Sequence, residues 1–128
     1  MQILNYWKPS LISLCILYGS VTSGENLNKI SLFNFPFMDK VIHMFLYFVL
    51  TITFLASLIR SGKQTKTDHI VITFVWVVSY GILMEVFQFY FTQTRSAEIF
   101  DVLANTTGCI IAIMLYPIIK NFRWLKLL

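Results

Sequence analysis

The sequence predicts an all-α fold: a four-helix integral membrane bundle, 1–128 as one domain, with both termini in the cytoplasm. Three observations carry that expectation. Hydrophobic residues make up 57% of the 128 and charged residues 12%, where a soluble domain carries about 25% charge. The apolar residues gather into four runs, most of them near the ~20 residues that cross a ~30 Å hydrocarbon core. The basic residues cluster at the ends of those runs, which is the pattern that orients a membrane protein.

The first run, roughly 7–22, is short. Lys8 lies at its start, and VTSG at its end has the small residues of a signal-peptidase site, so a cleaved signal is an alternative to a first span. GENLNKISLFNFP then breaks the pattern with Gly, Pro and three Asn. Its Phe33, Phe35 and Phe37 read as an interfacial aromatic segment or a lid. The second span, 38–59, opens with Asp39, a carboxylate placed to satisfy free helix amides. The polar turn RSGKQTKTD leads into the third span, 70–91, and puts His69 in a solvated turn. FTQTRSAE separates it from the fourth, 99–119. Cys15 and Cys109, each alone in an apolar run, read as small buried hydrophobes.

Charge fixes the expected orientation. Lys8, then Arg60, Lys63 and Lys66, then Lys120, Arg123 and Lys126 mark the inner side. The other two loops hold Lys29, Lys40 and Arg95 offset by Glu25, Asp39, Glu98 and Asp101. The positive-inside rule then turns loops one and three outward, and Trp7 and Trp124 fall at the inner interface. The net charge of +4 is accounted for by these anchors. No basic stripe interleaved with aromatics is present, so nucleic acid is not an expected partner.

Within the apolar runs the polar residues are the informative ones. At 1.5 Å per residue, Glu85 lies roughly 10 Å below the outer end of span three. His43 and Tyr47, running inward from Asp39, lie about 6 and 12 Å deep, and Asn105, running inward from Asp101, about 6 Å. They also share faces: Asp39, His43 and Tyr47 at i, i+4, i+8; Gly81, Glu85 and Gln88; Asp101, Asn105, Gly108 and Ala112. Ala104, Gly108 and Ala112 add a small-xxx-small ladder for close helix approach. A charge at the centre of a membrane helix costs about 2.5–3.5 kcal/mol on insertion scales. Glu85 should therefore face inward, with His43, Arg95 or Asn105 as partner. Amides, imidazoles and phenols inside a bundle also serve as plain helix glue, at ~0.6 kcal/mol per bond. A set of ionisable groups converging on one layer, however, points to a functional site.

These residues carry a resemblance. DKVIHMFLYFVL resembles the D-K-x-x-H-x-x-x-Y-x-x-L element of the VanZ-like family, and EVFQFYFTQTRSAEIFDVLANTTG resembles its E-x-x-Q, Arg and D-x-x-x-N-x-x-G elements. Asp39, Lys40, His43, Tyr47, Glu85, Gln88, Arg95, Asp101, Asn105 and Gly108 all fall in place. Where members often read S-L-x-P at the outer end of the first span, this chain reads SVTS. The resemblance implies a small multi-pass protein of the bacterial cytoplasmic (inner) membrane that lowers susceptibility to teicoplanin, a lipid-tailed glycopeptide.

Three functional readings follow. In the first, Asp39, Lys40, His43, Tyr47, Glu85, Gln88, Arg95, Asp101 and Asn105 form an outward-facing ligand site for a lipid-linked cell-wall precursor or a lipoglycopeptide, with Lys40 and Arg95 suited to its anionic groups. In the second, the chain is an intramembrane enzyme on a lipid-linked envelope substrate, with Glu85 or Asp101 as general base and His43 as acid. In the third, it is a helper or transport subunit. One His and two carboxylates would make a metal possible in the enzyme reading, but no H-E-x-x-H or comparable spacing occurs, so no metal and no cofactor are expected. No nucleophile elbow or phosphate loop occurs either.

Overall fold

A computed structural model describes residues 6–21, 37–62, 65–91 and 98–121. They form four helices and no strand: α1 Trp7–Val21, α2 Met38–Ser61, α3 Lys66–Phe91 and α4 Ile99–Ile119. The all-helical expectation holds. α2, α3 and α4 are long and apolar enough to cross a membrane. α1, over its 15 described residues, rises about 22 Å, less than a ~30 Å core.

The helices run up and down, and α2 is the central one. It packs against α1, α3 and α4, while α1 lies on α2 and α3. Ile16 of α1 joins Tyr47, Leu50, Val77, Met84 and Cys109 in the main core cluster. A second cluster of Ile52, Ala56 and Ala112 closes the other half of the α2–α4 seam. The seam is tight because Gly108 has no side chain: a Cβ there would collide with the backbone carbonyl of Met44. Gly108 and Ala112 of the Ala104–Gly108–Ala112 ladder thus serve packing within the chain.

The polarity of the bundle is inverted relative to a soluble protein. On α3, His69, Thr73, Gly81, Glu85 and Gln88 face inward, while Val71, Val75, Ile82, Leu83, Val86 and Phe89 are exposed. On α4, Asp101, Asn105 and Gly108 are buried, and Phe100, Leu103, Met114 and Ile118 are exposed. That distribution suits a hydrocarbon solvent and would be a large aggregation-prone surface in water. Inward hydroxyls satisfy themselves on the preceding helical turn: Thr51 donates to the Tyr47 carbonyl at 2.6 Å, Ser57 to Thr53 at 2.8 Å and Thr73 to His69 at 2.7 Å.

Two expectations are corrected. His69 is not in a solvated turn but buried in the first turns of α3. α3 starts earlier than the apolar run because Thr65 and Asp68 form a reciprocal cap: Thr65 N–H donates to Asp68 at 3.1 Å, and Asp68 N–H to the Thr65 hydroxyl at 3.3 Å. Cys109 is buried as expected, but Cys15 is exposed on the outer face of α1. Phe33, Phe35, Arg95, Trp124 and most of VTSG lie outside the described residues; Phe37 is exposed and takes the left-handed conformation (φ 64°) just before α2.

Candidate functional site

The polar layer is built where α2 begins, α3 ends and α4 begins. Up-down connectivity brings these three ends together, so residues far apart in sequence share one end of the bundle. At its rim, Lys40 Nζ contacts Glu98 at 2.8 Å and Asp39 at 2.9 Å, and forms an ion pair with Asp101 Oδ1 at 3.2 Å, the last without hydrogen-bond geometry. Lys40 therefore ties α2 to α4, and Asp39 turns to it rather than acting only as a helix cap. Three carboxylates share its single positive charge.

Beneath the rim, His43 Nδ1 lies 3.1 Å from Asn105 Oδ1 and 3.8 Å from Glu85 Oε1. With Nδ1 protonated, the ring donates to the amide oxygen, and Glu85 sits close enough to stabilise an imidazolium. Glu85 is 4% exposed, Gln88 1%, Asp101 2% and Asn105 2%. The inward orientation expected for Glu85 holds, with His43 beside it as one expected partner. Deeper still, Tyr47 is fully buried, its ring 6.4 Å from that of Tyr80. Tyr47 and Asn105 both press on Gly81, one turn before Glu85: a Cβ there would come 3.2 Å from Tyr47 Cε1 and 3.4 Å from Asn105 Nδ2. Gly81 thus leaves room for the polar residues of the other two helices.

The structure brings together Asp39, Lys40, His43, Glu85, Asp101 and Asn105, with Tyr47 on the inner side and Gln88 buried on the Glu85 face of α3. Glu98 belongs with them. Its place in the third loop suggests no more than charge balance, because its partnership with Lys40 spans 58 residues.

Buried carboxylates, an imidazole and amides at one end of a bundle whose outside is apolar define a multi-pass membrane protein with an intramembrane polar site. The chain belongs to the VanZ/LLP1 family, whose model matches residues 3–120. It is also 32% identical over 80 residues to an uncharacterized protein of the fission yeast Schizosaccharomyces pombe, a match covering 62% of this chain and 47% of that protein. The chain thus spans about half the length of that relative. No solved structure matches.

Proposed function

We propose that the chain is a multi-pass protein of the bacterial cytoplasmic membrane whose polar layer opens to the outer face and receives the polar head of a lipid-anchored envelope molecule. Through that site it lowers susceptibility to lipoglycopeptides such as teicoplanin. The observation that carries this reading is the placement of His43, Glu85 and Asn105 at one end of the bundle, below the charged rim of Lys40 and Asp101 and inside an apolar exterior. A molecule with its tail in the bilayer presents its head at that depth, where charged contacts are strong because water is scarce. The outward direction rests on the basic residues at the opposite end, among them Arg60, Lys66 and Lys120. A relative in a yeast favours a lipid head over the drug itself as the native ligand.

The test is drug susceptibility in a Gram-positive host, which has no outer membrane to exclude glycopeptides. The intact chain is expected to reduce teicoplanin sensitivity selectively, and Glu85→Gln, Asp101→Asn and His43→Ala, at equal membrane levels, to abolish the effect. Unchanged sensitivity with the intact chain would remove the resistance reading.

The 3.8 Å approach of His43 to Glu85 favours a second reading, an intramembrane enzyme on a lipid-linked substrate. A carboxylate and an imidazole at that distance form an acid–base pair within reach of a bound ester or phosphate. Purified protein that releases no product from labelled lipid-linked precursors, with or without divalent metal, would rule it out.

A further inference from the structure

We propose that His43, Glu85 and Asp101 bind a divalent first-row transition ion, with Tyr47 and Asn105 donating hydrogen bonds to the groups that complete its coordination. This inference is independent of which head group the site receives.

Each of the three residues offers one ligand atom, and these atoms all lie within 4.8 Å of one another. An ion about 2.1 Å from each of three ligands holds them roughly 3.0–3.6 Å apart, so side-chain shifts on the order of an ångström close the site. Two carboxylates and one imidazole suit Mn²⁺, Fe²⁺ or Zn²⁺. Calcium wants six to eight oxygens, and soft ions want thiolates, which the layer does not contribute. The three ligands come from three helices, each held by packing. Two of the three are more than nine-tenths buried, in surroundings where a divalent charge offsets the cost of burying carboxylates.

A second acidic group, Asp39, Glu98 and Asp101, also has closely spaced oxygens. Lys40 already sits on all three, so the rim needs no ion. Asp101 has two oxygens and can face Lys40 and the ion together.

Two independent observations point to a ligand beside the triad. The Tyr47 hydroxyl and the Asn105 Nδ2 amide are fully buried and have no hydrogen-bond partner among the described residues. Both side chains lie against Gly81, one turn from Glu85, and Asn105 Oδ1 lies beside His43 Nδ1, a hydrogen bond that the imidazole gives up when it ligates through that nitrogen. Buried donors without acceptors are costly, about 1–3 kcal/mol each. An ion with three protein ligands carries water or a ligand oxyanion at its open positions, and those oxygens are the acceptors these donors require.

The experiment uses the full chain purified in detergent, stripped with EDTA and titrated with Mn²⁺ and Zn²⁺. One ion per chain is expected. His43→Ala, Glu85→Gln and Asp101→Asn should each weaken binding at least about tenfold, while His69→Asn, at the opposite end, leaves it unchanged. The Mn²⁺-loaded wild type should show electron-spin-echo coupling to one imidazole nitrogen. That signal decides the matter even where a variant fails to fold. No saturable binding, equal binding in the folded variants, or binding without the nitrogen coupling would each overturn the proposal.

Discussion

His43 of α2 and Asn105 of α4 meet at 3.1 Å across 62 residues of sequence, halfway between the charged rim and the buried Tyr47. The contact joins two helices that also share the Gly108 close approach, so imidazole–amide recognition and backbone packing fix the same seam. A double-mutant cycle with His43→Ala and Asn105→Ala should give a coupling of about 0.6–1.7 kcal/mol, the range of interhelical bonds in membrane bundles. Unfolding of the purified protein in mixed micelles measures it. Strictly additive losses would show that the two side chains do not bond.

Gly108→Ala should destabilise the protein by about 1–3 kcal/mol or more, because the added methyl meets the Met44 backbone rather than a flexible side chain. Gly19→Ala, where a Cβ meets nothing within 4 Å, is the control and should be neutral or slightly stabilising. Thermal unfolding in detergent compares the two.

Lys40→Met should cost about 1.5–3 kcal/mol, the scale of charged hydrogen bonds, since three carboxylates lose their shared cation. Adding Asp101→Asn to Lys40→Met should recover part of that loss, because the most buried of the three carboxylates no longer carries charge. A double variant worse than the sum of the singles would contradict the arrangement.

The cysteines should behave oppositely. In detergent, a small thiol reagent should modify Cys15, exposed on α1, and leave Cys109 untouched until the protein unfolds. Mass measurement after timed labelling reads this directly. Prompt labelling of Cys109 would mean that the α2–α4 core is open.

Orientation has its own test. In a Cys15→Ser, Cys109→Ser background, a cysteine replacing Gln64 should be shielded from a membrane-impermeant maleimide added to intact cells, and one replacing Glu25 should react. The reverse pattern would turn the polar layer toward the cytoplasm.

The membrane fold was legible because apolar length is a local signal, and α2 and α4 lie within about two residues of the runs that predict them. The start of α3 was less legible. The Thr65–Asp68 cap begins a helix inside a polar turn, and that carried His69 inward. Depth and helical face put His43, Glu85, Asp101 and Asn105 in one layer, and the three helices bring these residues close together. Pairings within it were harder to read, because Lys40 chooses partners on another helix and spacing along one chain does not encode them. The same holds for three potential metal ligands drawn from three helices: no local motif marks them. The exposure of Cys15 is not legible because apolar residues are spread nearly evenly around α1, so its sequence does not say which side meets the other helices.

The shared end of the bundle also has a history during synthesis. α2 leaves the ribosome carrying Asp39, Lys40 and His43, while Glu98 and Asn105 are still 58 and 62 residues away. Until α4 is made, these groups lack the partners that it supplies, and only Glu85 of α3 is there for His43. Entry of α4 is the event that draws them under cover. A chain stopped before Ile99 would be left with half a site, and the cell's membrane quality control would meet it as a misassembled span.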